Sequence, residues 1–214
     1  MTGPAIMTYD SLLAQVESYL NNTSTDVLAQ IPYFIYQAEQ RICRESKNLG
    51  LESYVVSAFT PAQSVIPKPA RWRRTLSFNY GTGAGNNTRN QLYLRSYEFI
   101  RSYWPDSTQT GAPLYYADYG YSDFVVCPTP DAAYPFELCF LQLPDPISTL
   151  NQTNWITNYA PDLFLYGCLL EAIPYLKNDE RIPVWQSMYD RALASINSQD
   201  DQRVLDRASN RASD

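Results

Sequence analysis

The hydrophobic period of this chain changes twice, and that change constrains its fold more than any motif does. From Thr8 to about Asn48, and again from Tyr159 to Ile196, apolar residues recur every three or four positions, the spacing of one helix face. From Leu51 to Pro144 they recur every second position between clusters of Pro, Gly and Asn, the pattern of antiparallel strands joined by turns. That order predicts an α+β protein: an antiparallel helical bundle formed by N- and C-terminal helices, an inserted antiparallel β-domain and a C-terminal arm. The expected boundaries are 1–50 for the N-terminal helices, 51–150 for the β-domain, 151–198 for the C-terminal helical hairpin and 199–214 for the arm.

The C-terminal helices carry the longest apolar pattern. Pro161 suits a first helical residue because its missing N–H would lack a partner there anyway. Leu163, Phe164, Tyr166, Leu169, Leu170, Ile173 and Leu176 follow at helical spacing, Gly167 and Cys168 leave room for a close neighbour, and Pro174 should kink or end the helix. Asn178-Asp179-Glu180 supplies a turn and a cap. A second helix then presents Ile182, Trp185, Met188, Tyr189, Ala192, Leu193 and Ile196, and so short a turn makes the pair antiparallel.

At the other end, Thr8 should cap a helix over Tyr9 to Leu20 with Leu12, Leu13, Val16, Tyr19 and Leu20 buried. A second helix opens at Thr25 and passes Pro32, which means a kink or a fresh start. Its buried face would be Ile31, Phe34, Ile35, Ala38 and Ile42. Glu39, Arg41, Arg44 and Glu45 would be wet, and Gly50 would be the C-terminal cap.

Five or six strands are expected between the helices. They are Tyr54 to Phe59 with a short edge extension at Ser64 to Ile66, an alternating strand through Trp72, Arg74, Leu76 and Phe78, then Leu92 to Leu94, a hairpin of Leu114 to Asp118 with Phe124 to Cys127, and Tyr134 to Leu141. A short helix capped by Ser96 interrupts them. Trp155 should anchor a single helical turn in the linker 151–156.

Composition narrows function. With no histidine among 214 residues, Ser/His/Asp and Cys/His nucleophile systems, His-ligated metals and most general-base chemistry near neutral pH are removed. The four cysteines, Cys43, Cys127, Cys139 and Cys168, are widely spaced and read as buried thiols, so no metal or cofactor is expected. No apolar run approaches a membrane span and Met1 to Met7 has no signal pattern, so synthesis in a reducing cytoplasm is expected. The 18 tyrosines favour interfaces, and a net charge of −6 argues against binding nucleic acid over the whole surface.

Four groups of residues are candidates. Gly81 to Asn87 lacks the spacing of a nucleotide loop and precedes a strand, so it reads as a hairpin tip. Lys68, Arg71, Arg73 and Arg74 form the one dense basic cluster, with Arg71 and Arg73 on one strand face. It is either a solvated edge or a contact for phosphates or an acidic partner. Tyr115, Tyr116, Tyr119, Tyr121 and Tyr134, with Trp104 nearby, are either hairpin-stabilising aromatics or a protein interface. Asp118, Asp123 and Glu137 could be assembled into a carboxylate pair for sugar chemistry, but nothing fixes their separation.

Six segments in order, Met7-Thr8-Tyr9-Asp10-Ser11-Leu12-Leu13, Gln37-Ala38-Glu39-Gln40-Arg41-Ile42, Pro69-Ala70-Arg71-Trp72-Arg73-Arg74, Pro128-Thr129-Pro130, Asn158-Tyr159-Ala160-Pro161-Asp162-Leu163 and Lys177-Asn178-Asp179-Glu180-Arg181, give nearly the whole chain a likeness. It resembles the head-to-tail adaptor (connector) proteins of short-tailed bacteriophages, akin to the tail tubular adaptor of podoviruses. The resemblance implies a structural virion protein, not an enzyme. It would be a homo-oligomeric ring, a dodecamer, at the head-tail junction, between the portal protein and the tail nozzle protein, with DNA passing through the lumen and no membrane contact. It also implies that the tail from Ser198 embraces a partner. The expected interface residues are therefore Lys68, Arg71, Arg73, Tyr115, Tyr119 and Tyr121, together with Arg203, Val204, Leu205, Arg207 and Arg211 on the arm. The competing reading is a tail accessory module that binds carbohydrate.

Overall fold

The computed structural model describes residues 6–21, 24–46, 52–82, 88–176 and 180–209. In chain order its elements are α1 (Tyr9–Leu20), α2 (Thr25–Glu45), β1 (Glu52–Ala58), β2 (Val65–Pro67), β3 (Trp72–Thr82), β4 (Thr88–Gln91), β5 (Tyr93–Leu94), α3 (Tyr97–Tyr103), β6 (Thr110–Gly111), β7 (Tyr115–Asp118), β8 (Asp123–Cys127), β9 (Thr129–Pro130), β10 (Pro135–Gln142), α4 (Trp155–Tyr159), α5 (Pro161–Glu171), a 3-10 turn (Ile173–Tyr175) and α6 (Ile182–Ser209). The protein is thus mixed α+β, with six α-helices among the described residues and mainly antiparallel sheets. It divides into two compact units, Met1–Leu51 with Pro144–Asp214, and Glu52–Leu143.

In the first unit, Thr8 caps α1 as its sequence predicts: its hydroxyl accepts from the Ser11 amide at 3.2 Å, and the Ser11 hydroxyl accepts from the Thr8 amide at 2.8 Å. Helix α5 is apolar nearly all round, with Leu163, Phe164, Leu165, Gly167, Cys168, Leu169 and Leu170 buried, which requires neighbours on several sides. It touches α1, α2, α4 and α6. Gly167 permits the closest approach, since a Cβ there would lie 3.3 Å from the Ala38 Cβ and 3.4 Å from Tyr189 Cε2.

Several expectations for this unit need correction. Helix α2 runs unbroken through Pro32 and stops at Glu45, with Ser46 extended. Gly50, like the cap at Asn178-Asp179, lies outside the described residues. Glu39 is buried, not wet, because Asn154 reaches it: the Asn154 amide donates to Glu39 Oε1 at 2.6 Å. The same Asn154, with Ile156 and Thr157, anchors α4, while Trp155 is only half-buried. Tyr19 is exposed although its spacing placed it on the apolar face. Helix α6 does not end near Ser198 but continues to Ser209, so the first eleven residues expected of the arm are one helix with what precedes them.

In the second unit two four-stranded sheets, ordered β1-β10-β3-β4 and β2-β8-β7-β5, enclose a core rich in phenylalanine. Phe78 and Phe136 from one sheet meet Tyr116 and Phe124 from the other, and the ring of Phe78 sits 5.2 Å from that of Tyr116 and 6.2 Å from that of Phe124. Helix α3 covers β7 and β8 through Ile100 against Ala117, Val125 and Cys127. Among the described residues there are ten strands instead of five or six, and two pairings, β5 with β7 and β6 with β9, are parallel over two residues each.

The regular alternation expected of β3 is interrupted. Its register on β10 slips between Cys139 and Phe140 and again between Leu141 and Gln142. Each slip leaves one β3 residue, Leu76 and then Arg73, without an opposite number, and an extra residue reverses which side chains face the core. Leu76 therefore points to solvent and is 40% exposed, while Thr75 accepts a hydrogen bond from the Trp72 indole at 3.1 Å.

Candidate interaction surface

The turn between β7 and β8 and the segment entering β3 come together around Lys68. The Lys68 backbone amide donates to the Ser122 carbonyl at 2.7 Å. Its side chain is 4% exposed, and the ammonium donates to Asp118 Oδ1 at 2.5 Å and to the Gly120 carbonyl at 2.6 Å. It also sits 4.3 Å from the centre of the Trp72 ring and 5.2 Å from that of Phe124. A cation enclosed by a carboxylate, backbone carbonyls and two ring faces is fully engaged within the protein. Lys68, expected in a partner contact, instead holds the turn.

Around this clamp lies an open groove of about 940 Å³ whose walls include Arg71, Trp72, Arg73, Tyr119 and Tyr121. Arg71 and Arg73 do not share a strand face as expected. Arg71 precedes β3 with a left-handed φ of 62°, and Arg73 is one of the two unmatched residues of the slipped register. The turn and the slip nevertheless bring both into the groove. Tyr121 stands at the tip of the β7–β8 turn, fully exposed, and Tyr119 is half-exposed beside it.

Tyr115 lies elsewhere. It joins Phe99 and Tyr103 of α3, with ring centres 5.3 and 5.2 Å away, and the Arg95 guanidinium lies 5.6 Å over it. Tyr93 and Leu94 of β5 are also exposed. Sequence reasoning treated α3 as a unit and missed this second patch. The signal was the offset of four between Phe99 and Tyr103, which puts both on one face while Ile100 takes the core.

The arm residues Arg203, Val204, Leu205 and Arg207 are on α6, and Arg211 is outside the described residues. The stretch 83–87 of the expected hairpin tip is likewise outside them, but β3 and β4 pair up to Thr82 and Thr88, so Gly81 and Thr82 belong to β3 and not to the tip.

The chemistry the other candidates could support is limited. Asp118 is held by Lys68, Asp123 accepts from the Ser122 hydroxyl at 3.0 Å, and Glu137 is 3.8 Å from Arg89. All four thiols are buried; burial pushes Cys127 up to about 11 and Cys168 well above the ordinary range, opposite to what a reactive thiolate needs. Among the described residues no group of three or more Asp, Glu or Cys side chains could hold a metal ion, and no helix is long and apolar enough to cross a membrane.

Exposed aromatic rings lie beside guanidinium groups in two places on this unit, residue types that are enriched at protein interfaces. The model of the SU10 adaptor protein family matches residues 7–213, and the chain belongs to that family. It is a family of phage structural adaptors and not of enzymes. A search of the curated proteins finds no match.

Proposed function

We propose that the chain is the head-to-tail adaptor of a short-tailed bacteriophage. It forms a twelve-membered ring at the head-tail junction that joins the portal protein to the tail nozzle protein and lines part of the path of the genomic DNA. The observation that carries this reading is the family match, which takes in both units and the tail together. In the ring, α1, α2, α5 and α6 act as one helical bundle with the β-unit as its insertion. The C-terminal part of α6, from Ser198 onward, is the arm that engages a neighbour or the portal.

The surface supports the reading in two ways. A closed ring requires two different patches on each subunit, and the Arg71–Tyr121 groove and the Tyr115–Tyr103 cluster are two places where exposed aromatic rings lie beside arginines. The net charge of −6 suits a conduit from which DNA must not be held back.

The test is to mix the purified chain with the portal of its phage and to measure mass and symmetry by native mass spectrometry and electron microscopy. A ring of this chain stacked on the portal is expected, and removal of 199–214 should abolish docking while leaving the helical signal of the rest. A persistent monomer beside a competent portal would overturn the adaptor role in favour of an accessory glycan-binding module.

A further inference from the structure

Outer strands of sheets are normally blunted by brevity, proline, charge or a bulge, because their open side pairs readily with other chains. The sheet β2-β8-β7-β5 follows that rule: its outer strands have three and two residues, and β2 ends in Pro67. The sheet β1-β10-β3-β4 follows it at one edge, where β4 has four residues and carries Arg89, and departs from it at the other. Its outer strand β1 has seven residues, contains no proline, and pairs with β10 in an unbroken register from Glu52 to Ala58. One residue of the seven is charged, Glu52, at the very end, while Tyr54 is 59% and Val56 74% exposed. Among the described residues β1 has a strand partner on one side only, and so has β4 at the opposite edge.

Resting on the reading of the chain as a ring subunit, we propose that β1 of one copy pairs with β4 of the next, so that this sheet runs on from subunit to subunit. Strand direction favours the pairing. All three pairings inside the sheet are antiparallel, so with four strands β1 and β4 run in opposite directions. Neighbours in a ring of many subunits differ by a small rotation, which keeps strand directions. The β1 of the next copy therefore meets β4 antiparallel, and the alternation continues across the junction. The contact is also head-to-tail, using two different edges, which is the kind that closes rings. Pairing β1 with β1 about a two-fold axis would instead stop at a dimer and leave β4 open.

The experiment uses the full chain assembled on the portal. Val56→Cys is combined with Thr88→Cys in one variant and with Gln91→Cys in another, and each is treated with a short bismaleimide; the four native thiols are buried and stay silent. A ladder of covalent multimers reaching ring size is expected from a double variant, with a Val56–Thr88 or Val56–Gln91 link between copies in the digest. A Val56–Val56 link, or one from β1 to the portal or nozzle protein, would overturn the proposal.

Hydrogen exchange of the unmodified chain gives a second readout. Amides of 52–58 should slow by about tenfold or more on assembly. Rings that form while these amides exchange as in the free chain, with no link in either variant, would overturn the β1–β4 pairing and leave the adaptor role standing. Failure of the unmodified chain to form rings on a competent portal would overturn both.

Discussion

Asn154 binds Glu39 across 115 residues of sequence: its side-chain amide donates to the Glu39 carboxylate at 2.6 Å, and both residues are buried. The same side chain caps α4, its oxygen accepting from the amides of Ile156 at 2.9 Å and Thr157 at 3.2 Å. One residue thus starts a helix and satisfies a buried acid. Asn154→Ala removes both functions, a cap worth about 1 kcal/mol and a buried hydrogen bond to a carboxylate worth about 1.5–3 kcal/mol. A loss of roughly 2–4 kcal/mol in urea unfolding is expected, against less than about 1 kcal/mol for Thr153→Ala at the exposed neighbouring position of the same loop.

Gly167 is the contact point of α5 with α2 and α6. Replacing it with alanine removes the helix penalty of glycine, about 1 kcal/mol. The new methyl would meet Ala38 Cβ at 3.3 Å and Tyr189 Cε2 at 3.4 Å, so the neighbours must give by a few tenths of an ångström. These effects offset, and Gly167→Ala should change stability by less than about 1 kcal/mol. Gly167→Leu cannot be accommodated and should cost about 3 kcal/mol or more. Equal midpoints for the two variants would show that the helices do not approach at this residue.

Burial of weak acids makes the protein sensitive to alkali, and Tyr189, Cys127 and Cys168 are three of them. Burial, followed by its hydrogen bond to Glu45 at 2.6 Å, raises the Tyr189 phenol above its ordinary value. Burial raises Cys127 to about 11, and Cys168 is raised by burial and then by the nearby Glu171 and Glu39 carboxylates. The unfolded chain releases these protons near 8.5 for the thiols and near 10 for the phenol, whereas the folded chain keeps them. Their contribution to stability is therefore complete below about pH 8.5 and is lost as pH rises through the folded values. Urea midpoints should hold between pH 7 and 8 and fall above pH 9. Cys127→Ala should flatten the fall between pH 9 and 11, and an unchanged slope would exclude the Cys127 thiol as a source.

The division into helical and strand stretches was legible because burial of one face imposes a period. The caps at Thr8 and Ser96 and the proline start of α5 were legible because they are local. What escaped notice depended on distant partners. Glu39 carries no local mark of burial, since Asn154 comes from the far end of the chain. The slips in β3 are set by β10, and so Arg73 and Leu76 could not be placed from their own neighbours. Lys68 looked like part of a charged surface because Asp118 and Trp72 enclose it only after folding. On the arm, polar composition suggested an end near Ser198, whereas helix α6 continues because nothing in 199–209 breaks it; that stretch contains neither Gly nor Pro.

Lys68 and Tyr121 give the β7–β8 turn one buried support and one fully exposed ring. Lys68→Ala leaves the Gly120 carbonyl and Asp118 without their donor and opens a gap against Trp72 and Phe124. It should lower stability by about 1–3 kcal/mol and speed amide exchange at the turn. Tyr121 is fully exposed, and Tyr121→Ala should change stability by less than about 0.5 kcal/mol. If the groove is a contact surface, the same change should weaken assembly on the portal by about tenfold or more, as loss of an aromatic anchor does. Assembly at full strength by Tyr121→Ala, together with undiminished assembly by a folded Arg71→Glu/Arg73→Glu variant, would remove the groove from the interface and leave the β1 and β4 edges, the Tyr115–Tyr103 cluster and the arm to hold the ring.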